Sequence, residues 1–394
     1  VKRLCSLAAL ILFQARPAVE IRTVGPPNAG GPHSPGIRAG DYLYVSGRTA
    51  VAPDGSVPSA FEDQVRQALE NVQAVVKADG LTMENVVYTH VYLEDIGTYE
   101  AMNRVYEQYF PGVPPARATL GVARLEAGLI QINAVAVRDR SRKQAISVRG
   151  HAFSEPASAG ILTHDRLFVS GMRGMQTNGD SVEQALDGMA AVLEAAGLSM
   201  RHLVFVNPFL TASMPLEAMN DRYARRFEFG NTPARATIRV AALPEGAEIA
   251  FTGVAVRDLT KRRAVRPRNM APSPTASPCV FAGDTLYCSA KSGFIPGPLS
   301  GIYAATPQLQ LRQTMRNLLD GLEEAELDFG RVVATSVYLD DIRELPMLDE
   351  IYARYLEEPF PARTAVQQVE SAERKPDDAG RYPTLEQLSL IAVK

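Results

Sequence analysis

Pro115-Ala116-Arg117-Ala118-Thr119 returns as Pro233-Ala234-Arg235-Ala236-Thr237, and again as Pro361-Ala362-Arg363-Thr364. The arginines lie 118 and then 128 residues apart. A period of that size exceeds any solenoid repeat and matches that of a whole small domain. Working back from each arginine, a second landmark recurs in the same order. It is Asp41-Tyr42-Leu43-Tyr44-Val45-Ser46-Gly47, then Asp165-Arg166-Leu167-Phe168-Val169-Ser170-Gly171, then Asp284-Thr285-Leu286-Tyr287-Cys288-Ser289-Ala290. The chain is one unit written three times.

Inside the first copy, Phe61, Val65, Ala68, Leu69, Val72, Val75 and Val76 share one face of a 3.6-period helix, opened by the pair Ser59 and Glu62 and closed near Gly80. Val86 to Leu93 is rich in β-branched and aromatic residues and reads as a strand. Thr98 is placed to cap a second helix carrying Met102, Val105, Tyr106 and Tyr109. Strands at 118–124 and 130–137 close the unit. The expected order is ββαβαββ, an α+β domain with its helices on one face of a sheet. The second copy repeats this at 181–197, 203–210, 216–227 and 248–256, with Pro208 inside its middle strand suggesting an edge or a bulge.

Composition fits this reading and excludes others. Over 394 residues, 46% are apolar and 22% charged, so the chain is neither disordered nor a small disulfide scaffold. A net charge of −3 offers no general attraction to nucleic acid or anionic lipid. Basic residues cluster at the joints 138–150 and 257–268, without interleaved aromatics, and read as solvated linkers. His33, His90, His151, His164 and His202 show no metal-binding spacing, and no glycine-rich nucleotide loop is present, so neither metal nor cofactor is expected.

The ends and cysteines carry separate signals. Lys2-Arg3, an apolar run from Leu4 to Phe13 and Pro17-Ala18 have the order of a secretory signal over residues 1–18, although Arg16 suits a cut after Ala18 poorly. The other reading is a buried N-terminal strand or helix; export would place the protein outside the cytoplasm. Cys279 and Cys288 flank a hairpin turning at Gly283-Asp284, and counting outward sets them opposite each other in a non-hydrogen-bonded pair. The expectation is a cross-strand disulfide, or else two buried thiols.

Taken together, the hairpin ending in Ser-Gly, the helix bearing Gln64 and Asn71, the Asn103-Tyr106-Tyr109-Phe110 helix, Pro-Ala-Arg and the closing Ala-Val-Ala-Val strand resemble the RidA (YjgF) family, three times over. The resemblance implies tandem RidA-like domains of chorismate-mutase-like fold at 19–140, 151–258 and 271–394, joined by linkers at 141–150 and 259–270. Family members are homotrimers with ligand clefts between subunits, so this chain resembles a trimer written as one polypeptide, an intrachain pseudo-trimer that needs no partner copy.

The resemblance also implies hydrolysis of 2-imino and enamine acids to 2-keto acids and ammonia, with Arg117, Arg235 and Arg363 holding the substrate carboxylate. A guanidinium suits that task because its planar fork offers two parallel donors and stays charged. The alternative is a structural ion pair at each arginine. Ser46, Gly47, Ser170 and Gly171 would present a hydroxyl and backbone N–H to the same carboxylate.

Departures weigh on this reading. The family glutamate that handles the water's proton is matched by Gln131, Ala250 and Gln387. Glutamine positions water but takes no proton, which leaves Gln131 a positioning role. The family Gly-Pro-Tyr becomes Gly31-Pro32-His33, Glu155-Pro156-Ala157 and Pro274-Thr275-Ala276. His33 is then the one candidate replacement base, or else a bland surface histidine. Two other functions remain open: a non-catalytic binder of small carboxylates, and RNA cleavage, which the acidic balance disfavours.

Overall fold

The structure is a computed structural model, and it describes residues 18–26, 30–148, 155–176, 179–268, 270–296, 301–371 and 373–394. The expected signal segment lies outside the described residues apart from its last position. Among the described residues no helix is long and apolar enough to cross a membrane.

Each copy folds as read, into an α+β unit. In the first, the sheet runs in the order Ile21–Val24, Gly36–Ala39, Tyr42–Thr49, Ile130–Val137, Val86–Leu93, Ala116–Gly121. All neighbours are antiparallel except the last pair, which the helix Tyr99–Tyr106 connects in parallel. The helix Phe61–Ala78 buries Val65, Ala68, Leu69, Val72, Val75 and Val76 against one sheet face, the stripe its periodicity sets out. Val86–Leu93 is buried at every position, because the opposite face is covered too.

That opposite face meets the other two domains. Ile37, Tyr44, Phe168, Val254, Val280 and Val333, two from each copy, belong to one apolar cluster where the three sheets converge. Arg166 of the second copy crosses this junction. It donates to Tyr287 Oη (2.9 Å) and Thr285 Oγ1 (2.8 Å) of the third copy and stacks 4.2 Å over the Tyr42 ring of the first. The domains close on one another as a pseudo-threefold ring within a single chain.

Several local expectations are corrected. The first long helix starts at Phe61 with Ala60 at its cap, and neither Ser59 nor any other side chain caps it, whereas Asp180 and Thr306 do so in the later copies. Thr98 makes no side-chain cap; Asp95 instead receives Gly97 N in the preceding turn. Pro208 lies in an inner strand, between 249–256 and the two short strands Ala234–Arg235 and Ile238–Arg239 that carry and follow the motif arginine. It is the neighbour that breaks: pairing stops after Val206↔Arg235 and resumes at Phe209↔Ile238, whereas the first copy pairs without a gap from Tyr88↔Ala116 to Leu93↔Gly121. The joints read as solvated linkers each hold a strand, Gln144–Ile146 and Arg262–Val265, which extends the sheet of the following domain as Ile21–Val24 extends the first.

The cysteine hairpin has the register counted from its turn: Cys279↔Cys288, Val280↔Tyr287, Phe281↔Leu286 and Ala282↔Thr285. The two sulfurs are bonded, with the Cα atoms 4.0 Å apart.

Candidate functional site: three seams, three arginines

Each seam between domains is built by the same bonds. Arg117 N donates to Ser170 Oγ (2.7 Å), Arg235 N to Ser289 Oγ (2.8 Å) and Arg363 N to Ser46 Oγ (2.8 Å). Each serine hydroxyl in turn donates a hydrogen bond to a carbonyl within its domain: Ser170 to Ser158, Ser289 to Ser277 and Ser46 to Ser34. The reading of Ser46 and Ser170 as hydroxyls offered to a ligand is therefore corrected: both are buried and committed to joining domains. Gly47 has another use, since a Cβ there would come within 2.6 Å of Gln131 Oε1. At Gly171 a Cβ would meet Ala118 across the seam at 3.5 Å, which is ordinary contact.

The candidate residues thus sort into three clefts. Arg117 faces the second domain. Arg235 faces the third, where Gln387 lies. Arg363 faces the first, bringing together Gly47, Gln131 and His33. His33 and Gln131 share a cleft with Arg363 and not with Arg117. Strand register makes three positions on the final strands equivalent to one another: Gln131 opposes Tyr92, Ala250 opposes Phe209 and Gln387 opposes Tyr338. The adjacent Glu386 opposes Leu339, one residue along and so on the other face of the sheet, where it accepts a bond from Thr314 inside the third core. Burial raises its pKa to about 8.

The guanidinium groups are held alike on one side and differently on the other. Each stacks over a tyrosine, Arg117 on Tyr106 (4.6 Å), Arg235 on Tyr223 (5.1 Å) and Arg363 on Tyr352 (5.5 Å). One helical turn before each tyrosine stands an acceptor. It is Asn103 for Arg117 (2.7 Å) and Asn220 for Arg235 (2.7 Å), but Asp349 for Arg363. A carbonyl oxygen leaves the guanidinium charge available, whereas a carboxylate neutralises it.

The Arg117 cleft receives a carboxylate from the opposite wall. Glu155 sits 3.0 Å from Arg117 Nη2 and 3.3 Å from Arg173 Nη1, and it also accepts from Tyr99 Oη. Burial pushes the Glu155 pKa up, but the two guanidinium groups outweigh it and hold the carboxyl below its usual range. Arg117 is left 0% exposed. In the Arg363 cleft the position matching Glu155 is Gly31, where an added Cβ would lie 2.8 Å from Asp349 Oδ2, so the helix carboxylate occupies that space instead. His33 beside it is half-buried, and burial together with Arg363 and Arg48 lowers its pKa to about 3.

Arg235 differs. The residue matching Glu155 is Pro274, its helix acceptor is the neutral Asn220, and no described carboxylate pairs with it. Burial lowers its pKa, as expected of a guanidinium short of counter-charge. It borders a pocket of about 320 Å³ between the second and third domains, lined also by Thr237, Ser277, Ser289, Ala290 and Gln387. Among the described residues no cluster of His, Cys, Asp or Glu is arranged to hold a metal ion. Sequence reasoning located all three arginines but missed Glu155 and Asp349, the two residues that set them apart.

Known proteins match the chain domain by domain. The family model described as endoribonuclease L-PSP matches residues 24–138, 150–257 and 269–375. A RutC family protein of Saccharolobus solfataricus is 42% identical over 109 residues, 27% of this chain and 86% of its own length. The 2-iminobutanoate/2-iminopropanoate deaminase of Mus musculus is 36% identical over 121 residues, 30% of this chain and 90% of its own. The crystal structure of Escherichia coli TdcF with bound serine is 33% identical, covering 30% of this chain and 99% of that one, with a TM-score of 0.29. A chorismatase structure shares the fold more widely, with 12% identity and a TM-score of 0.55 over 79% of this chain and 93% of its own. With three matched segments spanning most of its length, the chain belongs to the endoribonuclease L-PSP family, also called RidA or YjgF, as three tandem domains.

Proposed function

We propose that this protein hydrolyses 2-imino or enamine acids to 2-keto acids and ammonia in a cleft between domains, with a motif arginine holding the substrate carboxylate. The observation that carries the proposal is Arg235, a guanidinium without a carboxylate partner among the described residues, at the wall of a 320 Å³ interdomain pocket. A carboxylate docked there gains charge-assisted bonds in a partly desolvated site and relieves the cost of the unpaired charge.

The chemistry asks little more of the chain. An iminium carbon held by its carboxylate is already electrophilic; water adds to it, the proton of the added oxygen passes through solvent to the amine nitrogen, the C–N bond of the resulting carbinolamine breaks as the remaining hydroxyl loses its proton, and the keto acid and an ammonium ion are released. Gln387, lining the same pocket, would orient the water without taking its proton. His33 would not act as the base, because it lies at another arginine and a group with a pKa of about 3 drives proton abstraction weakly. The relative named as an imine deaminase supports the reaction class.

A second reading is a non-catalytic binder of small carboxylates, favoured by Gln131, Ala250 and Gln387 where the family carries glutamate. One experiment separates the two. A 2-imino acid is generated in situ by an amino-acid oxidase and its decay followed with wild type and Arg235→Ala. Faster decay that the substitution abolishes establishes the enzyme; unaltered decay, with 2-oxobutanoate still raising Tm, establishes the binder.

A further inference from the structure

The three clefts carry one shared motif and three different charge balances. In the Arg117 cleft the incoming loop supplies a carboxylate, Glu155, opposite the neutral Asn103. In the Arg363 cleft the helix supplies it, Asp349, opposite Gly31, which has no side chain to compete. In the Arg235 cleft neither wall does: the helix offers Asn220 and the loop Pro274.

We infer that Glu155 and Asp349 are built-in carboxylate ligands that fill two of the three clefts, so that the chain binds one carboxylate guest, at Arg235. The inference rests on the carboxylate-anchor part of the proposed function and adds to it the number and place of the sites. A guest at Arg117 would have to displace Glu155 from two arginines and a tyrosine hydroxyl, against an internal group that loses no translational freedom on binding. A guest at Arg363 would bring a second negative charge beside Asp349, and like charges at contact distance oppose each other, a cost that Arg48 on the same cleft offsets only in part because Asp349 already holds the Arg363 fork. At Arg235 no described carboxylate competes with the guest, and Lys291 lines the same pocket. Burial differs in the same sense: the side chains of Arg117 and Arg363 are 0% and 3% exposed, whereas Arg235 keeps intermediate exposure at the pocket wall.

The two helix acceptors make the test reciprocal, because one atom pair exchanges their chemistry. Calorimetric titration of the full chain with 2-oxobutanoate should give one site. Asn220→Asp, which gives Arg235 the partner Arg363 has, should weaken that site at least about tenfold, the effect of losing one net charge-assisted bond. Asp349→Asn, which gives Arg363 the acceptor found in the other two domains, should raise the stoichiometry towards two. This variant keeps the inference testable if Asn220→Asp fails to fold.

Two or three sites in wild type would overturn the inference. So would binding that survives Asn220→Asp and disappears in Arg117→Ala, while leaving the anchor reading intact. No binding by wild type or by Asp349→Asn would overturn both together.

Discussion

The Arg117 and Arg235 clefts begin from the same five residues and the same serine-capped seam, and they end with opposite electrostatics. At Arg117 the guanidinium is shut in with Glu155 and Arg173; at Arg235 it faces an open pocket. The backbone holding each arginine is interchangeable, so the difference comes from a side chain of the facing domain. A motif therefore fixes where an arginine stands, and its neighbours across the seam decide whether it is paired within the protein or left at the wall of a pocket.

The largest effect should come from removing the two arginines in parallel. Arg117→Met breaks a buried pair and should cost about 3 kcal/mol, the low end for such a loss because Arg173 stays on Glu155. Arg235→Met removes a charge with no carboxylate partner and should change stability by less than about 1.5 kcal/mol. Urea denaturation midpoints measure both. Equal losses would mean that the two clefts do the same structural work.

A comparable effect is expected from Glu386, the carboxyl one residue from the Arg235 pocket wall. Its folded pKa, about 8, lies above the unfolded value, so the native state holds the proton longer, and stability falls as pH rises from about 4.5 to about 8. By pH 7 the cost is roughly 3 kcal/mol. Glu386→Gln keeps an acceptor for Thr314 and should flatten that slope. A wild-type profile that is flat over this range would show the carboxyl to be solvated. For Glu155 the sign is reversed: its contribution is present above the unfolded carboxyl pKa and is lost as pH falls through the depressed folded value.

Cutting the Cys279–Cys288 bond, which immediately precedes Ser289, should lower stability by roughly 2–3 kcal/mol on the chain-entropy account of a short closed loop. It should also weaken 2-oxobutanoate at Arg235, since the same hairpin carries the serine of that seam. Calorimetry with and without reductant checks this, and an unchanged affinity would detach the disulfide from the cleft. The smallest effect is expected at His33, where substitution by Asn should leave imine turnover within about twofold. A tenfold loss would move the reaction to the Arg363 cleft.

The fold was legible because its signals are local and were written three times. The heptad-like stripe from Val65 to Val76, the register of the Cys279–Cys288 hairpin and the matched positions Gln131, Ala250 and Gln387 all follow from counting along one segment. The charge balance of the clefts was not legible in the same way. Glu155 meets Arg117 from 38 residues away, in another domain, and no periodicity links them. A trace existed nonetheless. The Asn that precedes the tyrosine by three residues in the first two helices is Asp349 in the third, and Glu155 stands in the segment where the family tyrosine is missing. Pro208 misled for a related reason. A missing N–H predicts a broken ladder, but which side breaks depends on a neighbour that sequence does not reveal.

Closing the ring within one chain changes what a single substitution does. In a trimer of identical subunits every replacement appears at all three seams together, so a group that plugs one site plugs them all. Here the Ser46, Ser170 and Ser289 junctions are encoded separately, and a carboxylate introduced at one leaves the others as they were. Two junctions accordingly pair their arginine with a carboxylate of the chain itself, while the arginine of the third borders a pocket.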